Sequence, residues 1–176
     1  AALERVRLLS NQDIMAYTGD VRHPNTLDMV MTDFAPDVVV HFAGLKAVSD
    51  SMTSPLEYYD VNVAGTLALL GAMNRAGVRK IIFSSSATVY GEPEYLPYDE
   101  AHPTAPTSVY GRTKLAAESL LTDWCAANPE AGAVILRYFN PVGAHPSARL
   151  GEDPPDTPNN LMPFIAQVAV GKRDPL

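Results

Sequence analysis

Cysteine, clustered basic residues and long apolar runs are all scarce in this sequence, and each scarcity excludes a class of protein. The single cysteine, Cys125, cannot form an intrachain disulfide, which favours a reducing compartment. The formal net charge of −7 argues against a nucleic-acid partner, which would need clustered Lys and Arg. No apolar run approaches the roughly 20 residues of a membrane helix, and the charged N-terminus is unlike a secretory signal. We therefore predict a cytoplasmic protein that binds neither membrane nor nucleic acid.

Metal-ligand spacing is also missing from the sequence. The four histidines lie far apart along the chain, at His23, His41, His102 and His145. Their mutual spacing is not that of a metal motif, so we take none of them as a metal ligand. The acidic stretch GEDPPD at 151–156 is rich in proline, which predicts a surface turn. The sequence therefore predicts no metal site.

Short apolar runs alternate with longer stretches of helical periodicity. A short strand and a turn are predicted at 14–20, and strands at 37–44, 80–86 and 133–140. Helices are predicted at 24–34, 55–76, 108–127 and from 159 or 160 to about 170. This alternation indicates βαβ units and a parallel sheet with helices on both faces, so the fold class is α/β. The apolar run at 37–44 predicts a strand buried on both faces. In the helix at 55–76, the stripe predicted to be buried comprises Leu56, Tyr59, Val63, Leu67 and Leu70.

The residues that could do chemistry follow the predicted strands, where ligands of parallel sheets bind. Tyr110 and Lys114 in YGRTK lie four apart on one helical face. A phenol has a pKa near 10, and an ammonium about 4 Å away favours its phenolate by about 4 kcal/mol, so we expect a pKa of Tyr110 closer to neutrality. A lone YxxxK is weak evidence, because such pairs are often surface pairs. A serine of SSSATVYG, at the end of the preceding strand, would complete an acid/base set, whereas the alternative is a turn, which serines after a strand usually form.

Two other strand ends leave their alternatives open. Gly44 and Lys46 in HFAGLKAV either approach a ligand or form an ordinary tight turn. Asp20 in GDV either caps a helix or turn, or contacts an adenine or ribose. Cys125 lies in an amphipathic helix away from any strand end, which favours a packing role.

Several longer stretches together carry a family resemblance. They are HFAGLKAV, PLEYYDVNVAGT, FSSSATVYGEP, VYGRTK, LRYFNPVGAHPS, GEDP and PNNLMPFIAQVAVGKRD. From about Gly19 onwards the chain closely resembles the UDP-glucose 4-epimerases, which are extended short-chain dehydrogenases/reductases. The resemblance implies a Rossmann-like doubly wound parallel sheet, with a partial NAD-binding domain at 1–140 and the start of a UDP-sugar region at 141–176.

The resemblance also implies the activity and its residues. NAD would take a hydride from C4 of UDP-glucose or UDP-galactose and return it to the opposite face, and a homodimer would form through the helices at 55–76 and 108–127. The implied catalytic residues are Tyr110, Lys114 and Ser86. The implied cofactor residues are Asp20, Val21, Phe42, Ala43, Gly44, Lys46, Asn62, Ser84, Tyr110, Lys114, Tyr138 and Phe139. The implied substrate residues are Lys46, Ser86, Tyr110, Tyr138, Asn140, Asn160 and Leu161.

The chain departs from the family pattern in what it lacks. It opens without Met, and it contains no Gly-rich first turn and no acidic residue after a second strand. We therefore expect a fragment that lacks both ends, including the first two strands, and that is inactive alone. Val61 also stands where some members of the family have Asn.

Two rival functions remain. Nucleotide-sugar 4,6-dehydratases share the fold, NAD and YxxxK, but they usually carry an Asp-Glu pair where this chain has Ser86 and Ala87. A nucleotide-sugar decarboxylase is disfavoured by the LRYFNPVGAHPS stretch. A non-catalytic dinucleotide sensor would usually have lost Tyr110 or Lys114.

Overall fold

The computed structural model describes residues 2–152 and 160–174 of the chain. By its internal contacts the chain divides into two compact units, Tyr17–Phe139 and, separately, Ala1–Ala16 with Asn140–Leu176. The helices, in chain order, are α1 (Ala2–Ser10), α2 (Pro24–Phe34), α3 (Val48–Thr53), α4 (Pro55–Tyr59), α5 (Gly65–Ala76), α6 (Val109–Ala127) and α7 (Leu161–Ala169). The assignment of 1–140 and 141–176 to cofactor and substrate domains stays a prediction.

The larger unit is built on three parallel strands. They are β1 (Val39–His41), β2 (Lys80–Ser86) and β3 (Gly132–Tyr138), in the spatial order β1-β2-β3. Val40 pairs with Ile82, and Ser86 pairs with Tyr138, so the carboxyl ends of β2 and β3 are level. Each strand reaches the next through a helical crossover, as parallel pairing requires. The predicted α/β, Rossmann-like fold class is confirmed.

The helix ends follow local signals that the sequence analysis identified. Ser108 caps α6, because its hydroxyl accepts a hydrogen bond from the backbone N–H of Gly111 at 3.0 Å. Gly77 follows α5 with a φ of 76°, a left-handed conformation that favours glycine. The predicted helix at 55–76 is present, but a π turn (Asp60–Ala64) interrupts it between α4 and α5.

The core of the larger unit lies between one face of the sheet and the crossover helices. Its centre contains Phe83 and Ile81 of β2, Met73 of α5 and Leu121 of α6. Successive crossovers that proceed in one direction across a sheet lie on the same face, because each is right-handed. Val40 and Val134, which point to the other face, are each 52% exposed. The prediction that the strand at 37–44 is buried on both faces is therefore wrong for the described residues.

The predicted strand at 14–20 is also wrong. The segment has no regular structure, and the guanidinium of Arg7 donates to the backbone carbonyl of Ile14 at 3.2 Å, where a ladder bond would otherwise form. A β-strand forms only where a neighbouring strand satisfies its backbone groups. No such neighbour lies beside this segment among the described residues.

The buried stripe predicted for the helix at 55–76 is largely wrong. Leu56 is 84% exposed and Leu67 is 58% exposed, and of the predicted stripe only Leu70 is buried. The buried face instead contains the polar residues Asn62 and Thr66, which find hydrogen-bond partners inside. A polar group that forms hydrogen bonds can be buried at a low cost in free energy. Apolar periodicity ignores such groups, and it therefore predicted the wrong face of the helix.

The smaller unit contains α1 and α7. Asn160 occupies the N-cap position of α7, as predicted, and Gly171 follows the helix with a φ of 70°. The alternative start at 159 and most of the predicted turn at 151–156 lie outside the described residues. No helix in the described part of the chain is long and apolar enough to cross a membrane.

Candidate active site

Tyr110, Lys114 and Ser86 lie together at the carboxyl end of β2. The cap at Ser108 places Tyr110 and Lys114 in the first two turns of α6, and Ser86 is the last residue of β2. All three side chains are buried. The Lys114 Nζ lies 5.8 Å from the centre of the Tyr110 ring, and the Ser86 side chain lies close enough to the Tyr110 phenol to influence its pKa. The fold thus brings Ser86 of β2 together with the Tyr110–Lys114 pair of α6.

The Lys114 ammonium has a fixed position. Its Nζ donates a hydrogen bond of 2.8 Å to the backbone carbonyl of Ser84 and lies 4.9 Å from the centre of the Phe83 ring. Burial lowers the pKa of Lys114 to about 8, because the charged form loses hydration. Lys114 therefore still carries its proton at neutral pH.

The expected fall in the Tyr110 pKa does not occur in this structure. Burial raises the pKa of Tyr110 above its ordinary value, and the Ser86 side chain opposes this rise. The Lys114 charge is directed at the Ser84 carbonyl rather than at the phenol oxygen, so the loss of hydration dominates. The prediction of a pKa closer to neutrality is wrong for the described state.

Asn62 joins the loop after β1 to the first turns of α6. Its Oδ1 accepts from the Leu45 N–H at 2.8 Å, while its Nδ2 donates to the Leu45 carbonyl and to the Thr113 hydroxyl, each at 3.0 Å. The Thr113 hydroxyl in turn donates to the backbone carbonyl of Tyr110 at 2.8 Å. Asn62 lies in the π turn, an irregularity frequently found at functional sites. The sequence analysis named Asn62 but missed Thr113, which carries no motif of its own.

Gly44 approaches this network closely. A Cβ atom at Gly44 would lie 2.9 Å from the Asn62 Oδ1 and 3.7 Å from the Lys114 Nζ. Only glycine therefore leaves this space open beside the buried ammonium. A cradle of this kind, with its backbone accessible at a strand end, fits the phosphate or ribose part of a dinucleotide.

A buried histidine at the end of β1 extends this hydrogen-bond network. The Thr66 hydroxyl donates to the Asn62 carbonyl at 2.6 Å, so it must accept from the Nε2–H of His41 at 3.1 Å. Burial, followed by the charge of Lys114, lowers the pKa of His41 to about 4. His41 is therefore a neutral member of the core, and among the described residues no group of three or more potential ligands could hold a metal ion.

The remaining predicted cofactor residues in the larger unit differ in their exposure. Phe42, Ala43, Lys46 and Phe139 are exposed at strand ends, whereas Tyr138, the last residue of β3, is half-buried. Ser84 lies on β2, two residues before the end of the strand. All six residues therefore lie near the carboxyl ends of the strands.

Asp20 and Val21 lie where the loop before α2 approaches the π turn and α5. The Arg22 Nε donates to the Asp20 Oδ1 at 3.0 Å, and its Nη1 donates to Asp60 at 2.6 Å. The hydrogen bonds from Arg22 hold the pKa of Asp20 well below its ordinary value, so Asp20 is ionised. A Cβ atom at Gly65 would lie 2.7 Å from the Val21 Cγ1, which shows how closely the loop packs.

Three predicted substrate residues belong to the smaller unit. Asn140 and Leu161 are exposed, and Asn160 is half-buried at the N-cap of α7. The Asn160 amide donates to the Glu152 carboxylate at 2.7 Å.

Comparisons with known proteins agree on one family. The model of the family described as NAD dependent epimerase/dehydratase matches residues 3–176. The UDP-glucose 4-epimerase of Yersinia pestis is 54% identical over 177 residues, covering 100% of this chain and 52% of that protein. That of Bacillus subtilis is 50% identical over 175 residues, covering 99% of this chain and 52% of that protein.

Solved structures give the same result. The crystal structure of UDP-glucose 4-epimerase from Bifidobacterium longum in complex with NAD+ and UDP has a TM-score of 0.92 and 50% identity. The match covers 98% of this chain and 52% of that one. The chain therefore spans about half the length of the relatives it matches. On the family match and these identities, the chain belongs to the NAD-dependent epimerase/dehydratase family.

Proposed function

We propose that the whole protein containing this chain is a cytoplasmic, NAD-dependent isomerase that interconverts UDP-glucose and UDP-galactose. The observation that carries the proposal is the convergence of Tyr110, Lys114 and Ser86 at the carboxyl end of β2. Relatives that are 48% to 54% identical over nearly the whole chain bear the name UDP-glucose 4-epimerase, which supports the same function.

Each of the three residues has a task that follows from its position. Tyr110, in its phenolate form, takes the proton of the sugar 4-hydroxyl and becomes a neutral phenol, and Ser86 shares a hydrogen bond with the same oxygen. The Lys114 ammonium holds the ribose that carries the nicotinamide ring of NAD. Its positive charge also favours the phenolate form of Tyr110. NAD, when bound, supplies the hydride acceptor at sugar C4 and the hydride donor for the return step. The 4-keto sugar must turn over between the two steps, so its pocket has to be roomy.

The residues proposed to hold NAD include Gly44, whose close contacts leave room for backbone approach but none for a side chain. They are Asp20, Val21, Phe42, Ala43, Gly44, Lys46, Asn62, Ser84, Tyr110, Lys114, Tyr138 and Phe139. In this proposal residues 1–140 belong to the NAD-binding domain.

Seven residues are proposed to bind the UDP-sugar. They are Lys46, Ser86, Tyr110, Tyr138, Asn140, Asn160 and Leu161. In this proposal residues 141–176 begin the substrate region, and the Asn160 amide, which now donates to Glu152, exchanges that partner for the ligand.

The test is an assay of the whole protein with UDP-galactose, followed by NMR of the sugar products and by an NAD measurement on the denatured protein. We expect UDP-glucose to form without added cofactor, and NAD to be released on denaturation. A 4-keto-6-deoxy product would instead identify a dehydratase. Bound NAD without any turnover would identify a dinucleotide sensor. Either result would refute the proposed epimerase.

We further propose that the protein is a homodimer that buries the outer face of the helices at 55–76 and 108–127. Leu56, Tyr59 and Leu67 are exposed on this face, and apolar side chains clustered in this way mark interaction sites. In light scattering of the whole protein, Leu67→Asp is expected to halve the molar mass. The control, Leu96→Asp, changes an exposed leucine in the loop before α6 and should leave the mass unchanged. A Leu67→Asp protein that keeps its mass would contradict this interface.

A further inference from the structure

A buried carboxylate that the proposed chemistry does not use lies beside the catalytic residues. Glu118 is on α6, one helical turn after Lys114, and it is buried. Its Oε2 accepts from the Arg137 Nη2 at 2.8 Å, and its Oε1 accepts from the Arg137 Nε at 3.1 Å. The Oε1 also accepts a hydrogen bond from the Ser85 hydroxyl. One carboxylate therefore joins α6, β2 and β3.

The residues before and after the turn that carries Ser86 are both connected to the Glu118 carboxylate, one directly and one through Arg137. Ser85 precedes Ser86 and donates directly to Glu118. Tyr90 follows the 3-10 turn (Ala87–Val89) after Ser86, and the Arg137 guanidinium lies 4.8 Å from the centre of its ring. The same helix that supplies Glu118 also supplies Tyr110 and Lys114. Glu118 thus connects the support of Ser86 to the support of its two partners.

We propose that Glu118 is a positioning residue, which fixes the turn carrying Ser86 against the first turns of α6. The inference rests on the proposed function and extends it to a residue outside the reacting set. A bidentate Arg–carboxylate pair has a fixed planar geometry, which apolar packing does not impose. Correct placement matters because a displacement of about 1 Å at a catalytic group can reduce a rate about 100-fold.

Stability alone gives a weak reason for this pair. Replacing a buried ion pair with apolar residues of similar volume is often neutral or stabilising, whereas removing one partner leaves an uncompensated charge. A positioning role and a structural role therefore predict different behaviour for a variant that lacks both charges. In such a variant stability recovers in either case, but turnover recovers only if the role is structural.

The decisive variant is Glu118→Gln/Arg137→Met in the whole protein, with Ser85→Ala as a milder second variant that keeps the ion pair. The matched control is Glu130→Gln, which removes an exposed carboxylate from the turn between α6 and β3. For the double variant we expect a Tm close to that of the wild type, a kcat lower by about 10-fold or more, and a KM for UDP-galactose within about 3-fold. For Ser85→Ala we expect a smaller loss of kcat, again with little change in KM. For Glu130→Gln we expect no change in Tm, kcat or KM.

The outcomes separate the positioning role from the proposed function. A double variant with wild-type kcat, or one that raises KM alone, overturns the positioning role. If the double variant does not fold, Ser85→Ala decides by the same criterion. If the wild-type protein itself does not epimerise UDP-galactose, the proposed function fails, and a crystal structure of Ser85→Ala decides the positioning role. In that crystal structure, an unchanged Lys114–Ser84 contact, which is 2.8 Å here, would overturn it.

Discussion

Tyr110→Phe is expected to lower the kcat of the whole protein by about 10²- to 10⁴-fold while the protein keeps its bound NAD. The phenol of Tyr110 is the only group at this site that we propose to carry the 4-hydroxyl proton. Phe has nearly the same shape, so the packing around the Lys114 Nζ, 5.8 Å from the ring centre, is preserved. The loss therefore reports proton transfer rather than folding. Steady-state turnover of UDP-galactose and the NAD content of the purified variant measure the two quantities.

The matched control for this prediction is Tyr95→Phe. Tyr95 also loses one hydroxyl that forms a hydrogen bond, in this case to Asp99 at 2.7 Å, but it lies in the loop before α6 and is partly exposed. Its kcat should stay within about 2-fold of the wild type. A Tyr110→Phe protein that retains more than about a tenth of the activity would show that another group moves the proton. Loss of NAD from that variant would show that Tyr110 acts by holding the cofactor.

The elements that the sequence predicted well are those with local signals. β2 was predicted at its observed bounds, because an apolar run stops there at a serine cluster. α6 begins after Ser108 and α5 ends before Gly77, as the capping residues indicated. YxxxK placed Tyr110 and Lys114 on one face for the same reason, since helical spacing is a local property. Local patterns therefore sufficed for these features of the larger unit.

The features that the sequence predicted badly depend on tertiary partners. The apolar segment at 14–20 has strand composition, but pairing decides whether a strand forms. Asn62 and Thr66 are buried because Leu45 and His41 lie opposite them, which no helical periodicity encodes. The Glu118 carboxylate meets Ser85 and Arg137 only through the register of β2 and β3.

The pKa of Tyr110 was predicted in the wrong direction for a similar reason. Helical spacing indicates the attraction of an ammonium but does not reveal that both groups are buried. In the structure burial acts on both residues, lowering the pKa of Lys114 and raising that of Tyr110. The Lys114 ammonium also donates its hydrogen bond to the Ser84 carbonyl rather than to the phenol. A charge pair within a core cannot be evaluated from sequence spacing, since its environment comes from other elements.

Phe83→Ala is expected to have the largest effect on stability, lowering the free energy of unfolding by about 3–5 kcal/mol. Phe83 is 1% exposed at the centre of β2, where it packs in the core cluster with α5 and α6. Its removal leaves a cavity between sheet and helices, and it also removes the ring that lies 4.9 Å from the Lys114 Nζ and 5.5 Å from the ring of His41. Urea unfolding of the whole protein measures the change.

Two further variants show whether the loss comes from the cavity. Phe34→Ala removes the same side chain from the end of α2, where Phe34 is 55% exposed, and should cost less than about 1 kcal/mol. Phe83→Leu refills most of the space and should cost about 1.5 kcal/mol or less. If Phe83→Ala cost no more than Phe34→Ala, the core would not be centred on β2. Because the same ring supports Lys114, a Phe83→Leu protein that folds but loses turnover would further show that this core side chain sets the position of the catalytic ammonium.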